Sequence, residues 1–283
     1  MLPDQDLDQP AWIAPGELGG TTVRVVLEQG IGDTLHFIRY VRLLTDRGAR
    51  VEVATPIHTV LLPLLKEMPE IAAMVPEAGA LPAADVVVPL LSVPLALGTT
   101  LATIPNRVPY LTVPEDRRRK WRSILAEREA GRGGGPRVGV VWSGSPTHAN
   151  DRYRSIPLQR FRRILERTDV RFHVLSDRLR DGDAEDLGDL AMHHPGLEDF
   201  GDTAALVEMM DLVIAVDTSV AHLAGGLGRP TWVLLPNHPD WRWLLDRDDS
   251  PWYPTMRLFR QRAMLDWDSV LGSVSEALDE RYR

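Results

Sequence analysis

The sequence predicts an α/β protein made of two Rossmann-like halves, and three observations lead to that prediction. A β-branched strand near the N-terminus runs into a glycine loop and a helix. Strands and helices then alternate, and the same pattern restarts after a glycine-rich stretch at 131–136. Such alternation indicates parallel sheets covered by helices, and 283 residues are enough for two domains.

The first half begins with a strand at 23–28, a glycine loop at 29–33 and a helix at 34–47. Apolar residues recur in that helix at helical spacing: Leu35, Ile38, Val41, Leu44. The remaining predicted elements of this half are strands at 50–54, 71–75 and 85–88 and a helix at 58–68.

The second half follows a segment at 114–136, which we interpret as a linker. It is a basic stretch that continues as a helix and ends in a glycine-rich run. Its predicted strands lie at 137–142, 171–175, 211–216 and 231–235, and its helices at 157–167 and 203–210. Asp202 is the predicted N-cap of the latter helix. The predicted divisions are a connector at 1–20, domains at 21–113 and 137–265, and a C-terminal helix at 266–283. Packing of this helix on the first domain is one option.

Composition limits the class of protein. Hydrophobic residues make up 44% and charged residues 25% of the chain, as in soluble globular proteins. A net charge of -8 argues against bulk binding to nucleic acid, and the absence of cysteine excludes disulfides and thiolate metal sites. The first 20 residues do not resemble a signal peptide, and we find no integral membrane segment. We therefore expect a cytoplasmic protein.

Loops at the carboxyl ends of parallel strands are the expected ligand sites. The first candidate carries Gly30, Gly32 and Asp33. Its carboxylate is a candidate catalytic group, but from spacing alone a simple helix cap is the more common explanation.

Two loops of the second half suit an anion. In Asp217-Thr218-Ser219, the amides that start a helix can bind phosphate, and His222 lies one turn further on. A capped core helix with a buried histidine is an equally good interpretation. The other loop, 143–154, offers Ser143, Gly144 and the arginines Arg152 and Arg154, although a solvated loop has a similar composition.

Other patterns are weaker. The aromatic cluster Trp241, Trp243, Trp252 and Tyr253 could stack on a base or sugar, but packing is the favoured interpretation. His193 and His194 are interpreted as a surface pair. The Walker A, GxGxxG, GxSxG and HExxH motifs are missing, and no metal site is predicted.

Five segments together resemble glycosyltransferase family 9, the heptosyltransferase-like enzymes of the GT-B fold, in the version found at the C-terminal end of bacterial tetratricopeptide-repeat proteins. They are EQGIGDTLHFIRYV (28–41), PLLSVPLALGTTLATIPNRVPYL (89–111), VGVVWSGSPTHANDRYRSIPL (138–158), DTAALVEMMDLVIAVDTSVAHLAGGLGRP (202–230) and DWRWLLDRDDSPWYPTMRLFRQ (240–261). The resemblance spans most of residues 21–281. It implies two Rossmann-like domains facing each other across a cleft.

The resemblance also implies a reaction and its residues. It implies inverting, metal-independent transfer of a hexose or heptose from a nucleotide sugar, with no separate cofactor, to an acceptor that it does not name. Asp33 matches the family's general base. The donor-binding positions that it implies are Ser143, Gly144, Arg154, Asp202, Asp217, Thr218, Ser219 and His222. An upstream tetratricopeptide-repeat partner is a further implication.

Two other classes of protein remain open at this stage. One is a non-catalytic module with the same fold that binds a sugar nucleotide or acts as a scaffold. The other is a nucleotide-sugar epimerase of the same fold. The presence of Asp33 together with Asp217 and His222 favours the transferase.

Overall fold

The structure is a computed structural model that describes residues 16–54, 59–75, 83–131, 133–194 and 196–282. It divides into two units between Pro105 and Asn106. Each unit contains its own parallel sheet, which confirms the predicted α/β class.

The first unit is built on a four-stranded parallel sheet. Its strands are β1 (Thr22–Val26), β2 (Arg50–Ala54), β3 (Ala73–Val75) and β4 (Val86–Pro89), and its α-helices are α1 (Ile31–Phe37), α2 (Val41–Thr45), α3 (Leu62–Leu65) and α4 (Val93–Ala96). The strand order is β3-β2-β1-β4. Strand β1 lies between β2 and β4, and its Val23 and Val25 are fully buried. Arg24 of β1 forms a buried 2.8 Å ion pair with Glu52 of β2.

The helix predicted at 34–47 is interrupted. Between α1 and α2 lies a 3₁₀ turn, Ile38–Tyr40. There the Arg39 Nε donates to the His36 carbonyl at 2.7 Å, where an α-helix would place a backbone bond. The predicted apolar stripe is nevertheless fully buried: Leu35, Ile38, Val41, Leu44.

The second unit is built on a six-stranded parallel sheet. Its strands are β5 (Arg137–Val141), β6 (Arg171–Val174), β7 (Met192–His193), β8 (Leu212–Val216), β9 (Thr231–Leu235) and β10 (Met256–Arg260), and its α-helices are α5 (Glu115–Glu129), α6 (Asp151–Arg154), α7 (Leu158–Leu165), α8 (Asp183–Leu187), α9 (Phe200–Glu208), α10 (Ser219–Gly226) and α11 (Trp267–Arg281). The strand order is β10-β9-β8-β5-β6-β7.

The helix expected within the predicted linker at 114–136 is present, but it packs as part of the second unit. Helix α5 fills 115–129 and packs on α9, burying Trp121 and Leu125. The Arg118 guanidinium binds Glu208 of α9, with Nε 2.6 Å from the carboxylate. The basic residues are therefore partners of α9, and the first unit ends eight residues earlier than the predicted boundary at 113.

The C-terminal helix packs within the second unit. Helix α11 lies on α7 and β10, and its apolar residues join the core of that unit. The stripe predicted from the sequence is buried: Trp267, Val270, Leu271, Val274, Leu278. Helix α7 presents the apolar face that matches this stripe.

The His193–His194 surface pair is also a wrong prediction. His194 follows the edge strand β7 and is fully buried, stacked on His173 of β6 with ring centroids 5.3 Å apart. The Nδ1 atom of His173 lies 3.1 Å from Nε2 of His194. The Nε2 atom of His173 lies 3.3 Å from the Glu129 carboxylate. Burial lowers the pKa of His173 to about 4 and that of His194 to about 3.

Most of the predicted connector, 1–15, lies outside the described residues. Its end belongs to the first unit, because Leu18 is buried and its N–H donates to the Arg47 carbonyl at 2.6 Å. In the described ranges, no helix is long and apolar enough to cross a membrane.

Candidate functional site

The first candidate loop follows the central strand β1. Gly30 starts α1 in an extended conformation, and the Asp33 carboxylate accepts its N–H at 2.8 Å. A Cβ on Gly30 would lie 3.1 Å from that carboxylate oxygen, so glycine gives the cap its room. Asp33 is therefore a helix cap, as the simpler interpretation expected. Its role as a base stays a prediction, since a carboxylate can accept several hydrogen bonds.

The two anion-binding loops of the second unit lie side by side. They follow β5 and β8, which pair in parallel, so both loops leave the same edge of the sheet. The Arg154 Nη1 donates to the Asp217 carbonyl at 2.9 Å and joins them. The guanidinium lies over Gly144, where a Cβ would come within 2.6 Å of Nη2. Glycine is thus the residue that leaves space for this arginine.

Arg154 is unusually desolvated for a cation. Burial lowers its pKa from the ordinary value, against the opposing charges of Asp217 and Asp151. Its Nε–H has no hydrogen-bond partner among the described residues. A partly desolvated guanidinium of this kind can recover its lost hydration by binding an anion.

The loop after β8 ends at the N-terminus of α10. Thr218 is the extended N-cap residue, and Ser219 is the first helical residue. The Thr218 Oγ1 atom is buried without a partner in the described part of the chain. Free amides of a first helical turn and the helix dipole attract anions, so Arg154 and this helix start together suit a phosphate group.

Asp217 lies beside this cationic site with a perturbed carboxyl group. Desolvation raises the pKa of Asp217 to about 6, partly opposed by the Trp243 indole. Asp240 raises the pKa further, whereas Arg154 and Arg242 lower it. A carboxylate in this position can accept hydrogen bonds from the hydroxyl groups of a ligand.

His222 stands one turn into α10 and is 5% exposed. Its Nδ1 atom lies 3.0 Å from the Tyr253 hydroxyl, and its ring stacks on Trp243 with centroids 5.3 Å apart. The structure thus gathers Gly144, Arg154, Asp217, Thr218, Ser219 and His222 in the second unit. Ser143 is half-buried between β5 and Gly144.

Asp202 does not cap its helix. The N-cap of α9 is Asp199, whose side chain accepts the Asp202 N–H at 3.1 Å. The fully buried Asp202 carboxylate instead receives the Trp121 Nε1–H at 2.8 Å and the Lys120 ammonium at 3.1 Å. These contacts with α5 give Asp202 a structural role, while its role in donor binding stays a prediction.

Sequence reasoning missed Arg180, in the loop after β6. Its Nη2 atom donates to Asp151 at 2.6 Å and to Ser155 Oγ at 3.0 Å, and Ser155 in turn accepts the Gly144 N–H at 3.0 Å. Arg180 therefore orders the loop that carries Arg154. The signal was available, because Arg180 follows a predicted strand just as Arg154 does.

The predicted packing role of the aromatic cluster is confirmed for three residues. Trp243 and Tyr253 are fully buried and Trp252 is 5% exposed, whereas Trp241 is 59% exposed. Contact of Trp243 and Tyr253 with His222 could not be inferred from the sequence, since they lie about 20 to 30 residues further along the chain. The described ranges contain no cluster of three or more His, Cys, Asp or Glu residues suited to a metal ion.

Several solved structures share this fold. A glycosyltransferase of family 9 from Veillonella parvula superposes with a TM-score of 0.70 at 13% identity, covering 96% of this chain and 99% of that chain. ADP-heptose lipopolysaccharide heptosyltransferase II of Escherichia coli gives 0.61 at 14% identity, covering 93% and 100%. The iron-containing dodecameric glycosyltransferase TibC of Escherichia coli gives 0.58 at 13% identity, covering 94% and 78%. The chain therefore has the fold of GT-B heptosyltransferases.

Sequence comparison adds one curated relative. Protein FlbA of Caulobacter vibrioides is 28% identical over 194 residues, which cover 65% of this chain and 31% of that protein. The chain thus matches about a third of that relative's length. No known family's sequence profile matches the chain.

Proposed function

We propose that this chain is an inverting glycosyltransferase that moves a sugar from a nucleotide sugar to an acceptor hydroxyl without a metal ion. The observation that carries the proposal is the bond from Arg154 to the Asp217 carbonyl, which brings a half-buried guanidinium to the start of α10. The fold shared with glycosyltransferases supports it.

The donor diphosphate binds at Arg154 and the amides around Ser219. Its negative charge is matched there by protein groups, as a metal-independent reaction requires. Asp217 accepts hydrogen bonds from donor hydroxyls, since a carboxylate does not favour a phosphate. His222 contributes a hydrogen bond from the same helix.

Asp33 acts as the general base. It takes the proton of the acceptor hydroxyl while the acceptor oxygen bonds to the anomeric carbon. The bond from that carbon to the diphosphate breaks, and the nucleoside diphosphate leaves with the bonding electrons. Attack from the face opposite the diphosphate inverts the anomeric configuration.

A binding module without turnover is the second candidate. The bond between Asp33 and Gly30 favours it, because this bond gives the carboxylate a structural use. Donor binding alone does not separate the two candidates, whereas consumption of the donor does.

Donor binding can be tested by melting the full chain with ADP-, UDP- and GDP-linked sugars. A ligand that binds only the folded chain raises the melting temperature. ADP-heptose is the first donor to examine because a protein of the same fold is named for it. We expect Arg154→Ala to weaken binding about ten- to a hundredfold, the usual worth of a hydrogen bond to a charged group.

Arg152→Ala is the matched control, since Arg152 lies on the same short helix but is exposed. Equal affinity in the wild type and Arg154→Ala would place the phosphates elsewhere. A larger loss in Arg152→Ala would show that the wrong arginine has been assigned.

A further inference from the structure

The His222 ring is held on one face and at one edge. Trp243 stacks on it with an interplanar angle of 15°, and the Tyr253 hydroxyl lies 3.0 Å from Nδ1. Because Nδ1 faces the Tyr253 hydroxyl, we assign the proposed hydrogen bond from His222 to the donor phosphate to Nε2. Whether Nε2 can donate depends on which of the two nitrogens carries the proton.

Tyr253 is itself held in place. It is fully buried, and a Cβ on Gly225 of α10 would come within 2.4 Å of its ring. The Tyr110 hydroxyl approaches the Tyr253 hydroxyl at 3.5 Å, and the Tyr110 N–H donates to the Gly226 carbonyl at 2.9 Å. The glycines of α10 thus leave room for the rings of Tyr253 and Tyr110.

The direction of the hydrogen bond between Tyr253 and His222 follows from the chemistry of the two groups and from the contact with Tyr110. A neutral imidazole nitrogen is a better acceptor than a phenol oxygen, and a phenol is a good donor. With Tyr110 donating to Tyr253, the Tyr253 O–H points at His222 Nδ1. Nδ1 then accepts, and the proton of the neutral ring resides on Nε2.

We propose that Tyr253 is a positioning residue that fixes His222 in the Nε2–H tautomer, so that His222 donates a hydrogen bond to the diphosphate of the donor. The diphosphate part of this proposal rests on the proposed function. Tyr253 touches neither donor nor acceptor in this account and acts through His222.

The tautomer can be measured without any ligand. In the full chain labelled with ¹⁵N-histidine at pH 8, where an ordinary imidazole is neutral, two-bond ¹⁵N–¹H correlations identify the protonated nitrogen, and His222→Gln assigns the signal. We expect Nε2–H in the wild type and a mixture of tautomers in Tyr253→Phe. Nδ1–H in the wild type, or an unchanged pattern in Tyr253→Phe, would overturn the proposal.

The effect on binding is measured by ADP calorimetry on the same proteins. We expect Tyr253→Phe to weaken ADP binding about five- to tenfold, the usual worth of one hydrogen bond, with adenosine affinity unchanged. In a His222→Gln background the same substitution should cause no further loss. An equal loss in both backgrounds would mean that Tyr253 supports the fold alone, which overturns the proposal.

A wild type that binds none of ADP, UDP and GDP contradicts the proposed function and the diphosphate part of this inference. The tautomer result still decides whether Tyr253 sets the state of His222. The two failures are therefore distinguishable.

Discussion

Single residues carry most of the proposed chemistry, and each also has a structural use. Asp33 caps α1, Arg154 joins two loops, and His222 packs against aromatic rings. Substitutions must therefore separate function from folding. Replacing aspartate by asparagine separates the two best, because asparagine keeps the side-chain shape and a hydrogen-bond acceptor but lacks the negative charge.

Asp33→Asn should leave the fold intact and abolish most turnover. Asn and Asp are about equal as capping residues, so the melting temperature should change little. A neutral amide cannot take a proton, so sugar transfer should fall about 10²–10⁴-fold. Asp46→Asn, on the exposed end of α2, is the control. Full turnover in Asp33→Asn would reduce Asp33 to a cap.

Asp217→Asn should gain stability and lose function. The folded pKa of Asp217 is about 6, above the ordinary 3.8, so the folded chain holds the proton more tightly. Stability therefore declines as the pH rises from about 4 to 6, and Asn should stabilise the chain at pH 8 by about 1–3 kcal/mol. Urea unfolding at pH 4 and pH 8 measures this. A gain of equal size at both pH values would contradict the raised pKa.

At the scale of elements, the sequence predicts the positions of strands and loops better than it predicts which elements pack against one another. Strands β2 and β9 fall at the predicted residues, and the loops after β1, β5 and β8 lie at strand ends, as the alternation requires. Helix α5 was expected as part of a linker, but its packing was not. Its two buried residues, Trp121 and Leu125, lie among many charged ones. Strand β10 was missed because its five residues include two arginines, Arg257 and Arg260, and show no regular alternation of apolar and polar residues. These features depend on contacts with distant residues.

Asp202→Ala tests the contact between α5 and α9. It leaves the buried Trp121 N–H without its acceptor, and the free energy of unfolding should fall by about 1–3 kcal/mol. Asp181→Ala, at an exposed position, is the control. Donor affinity should stay unchanged. A selective loss of donor affinity with full stability would instead place Asp202 in the donor site.

The buried pair His173 and His194 should make the contact between α5 and the sheet edge sensitive to acid. Both histidines are neutral in the folded chain because burial lowers the pKa values to about 4 and 3. The unfolded chain takes up protons below about pH 6.5, so stability should fall from there towards pH 4. His173→Phe should flatten this decline in the melting temperature. An unchanged decline in the variant would contradict the assignment.

At the scale of the whole molecule, the fold class was predictable because each unit contains its own parallel sheet. Each half repeats a strand, loop and helix pattern that requires only local periodicity. Acceptor identity has no such local signature. The proposed donor site was predictable only in part. Its residues at strand ends could be named from the sequence, whereas the roles of Arg180, Trp243 and Tyr253 depend on contacts between distant segments.

Consumption of a nucleotide sugar by the full chain decides between a transferase and a binding module. The wild type is treated with EDTA, incubated with ADP-heptose and a bacterial acceptor fraction, and followed by ³¹P NMR for ADP release and by ¹H NMR for the new anomeric linkage. We predict ADP release that depends on the acceptor fraction, with inverted configuration and no requirement for a divalent ion. Binding of ADP-heptose without consumption, or strict dependence on a metal ion, would contradict a metal-independent transferase.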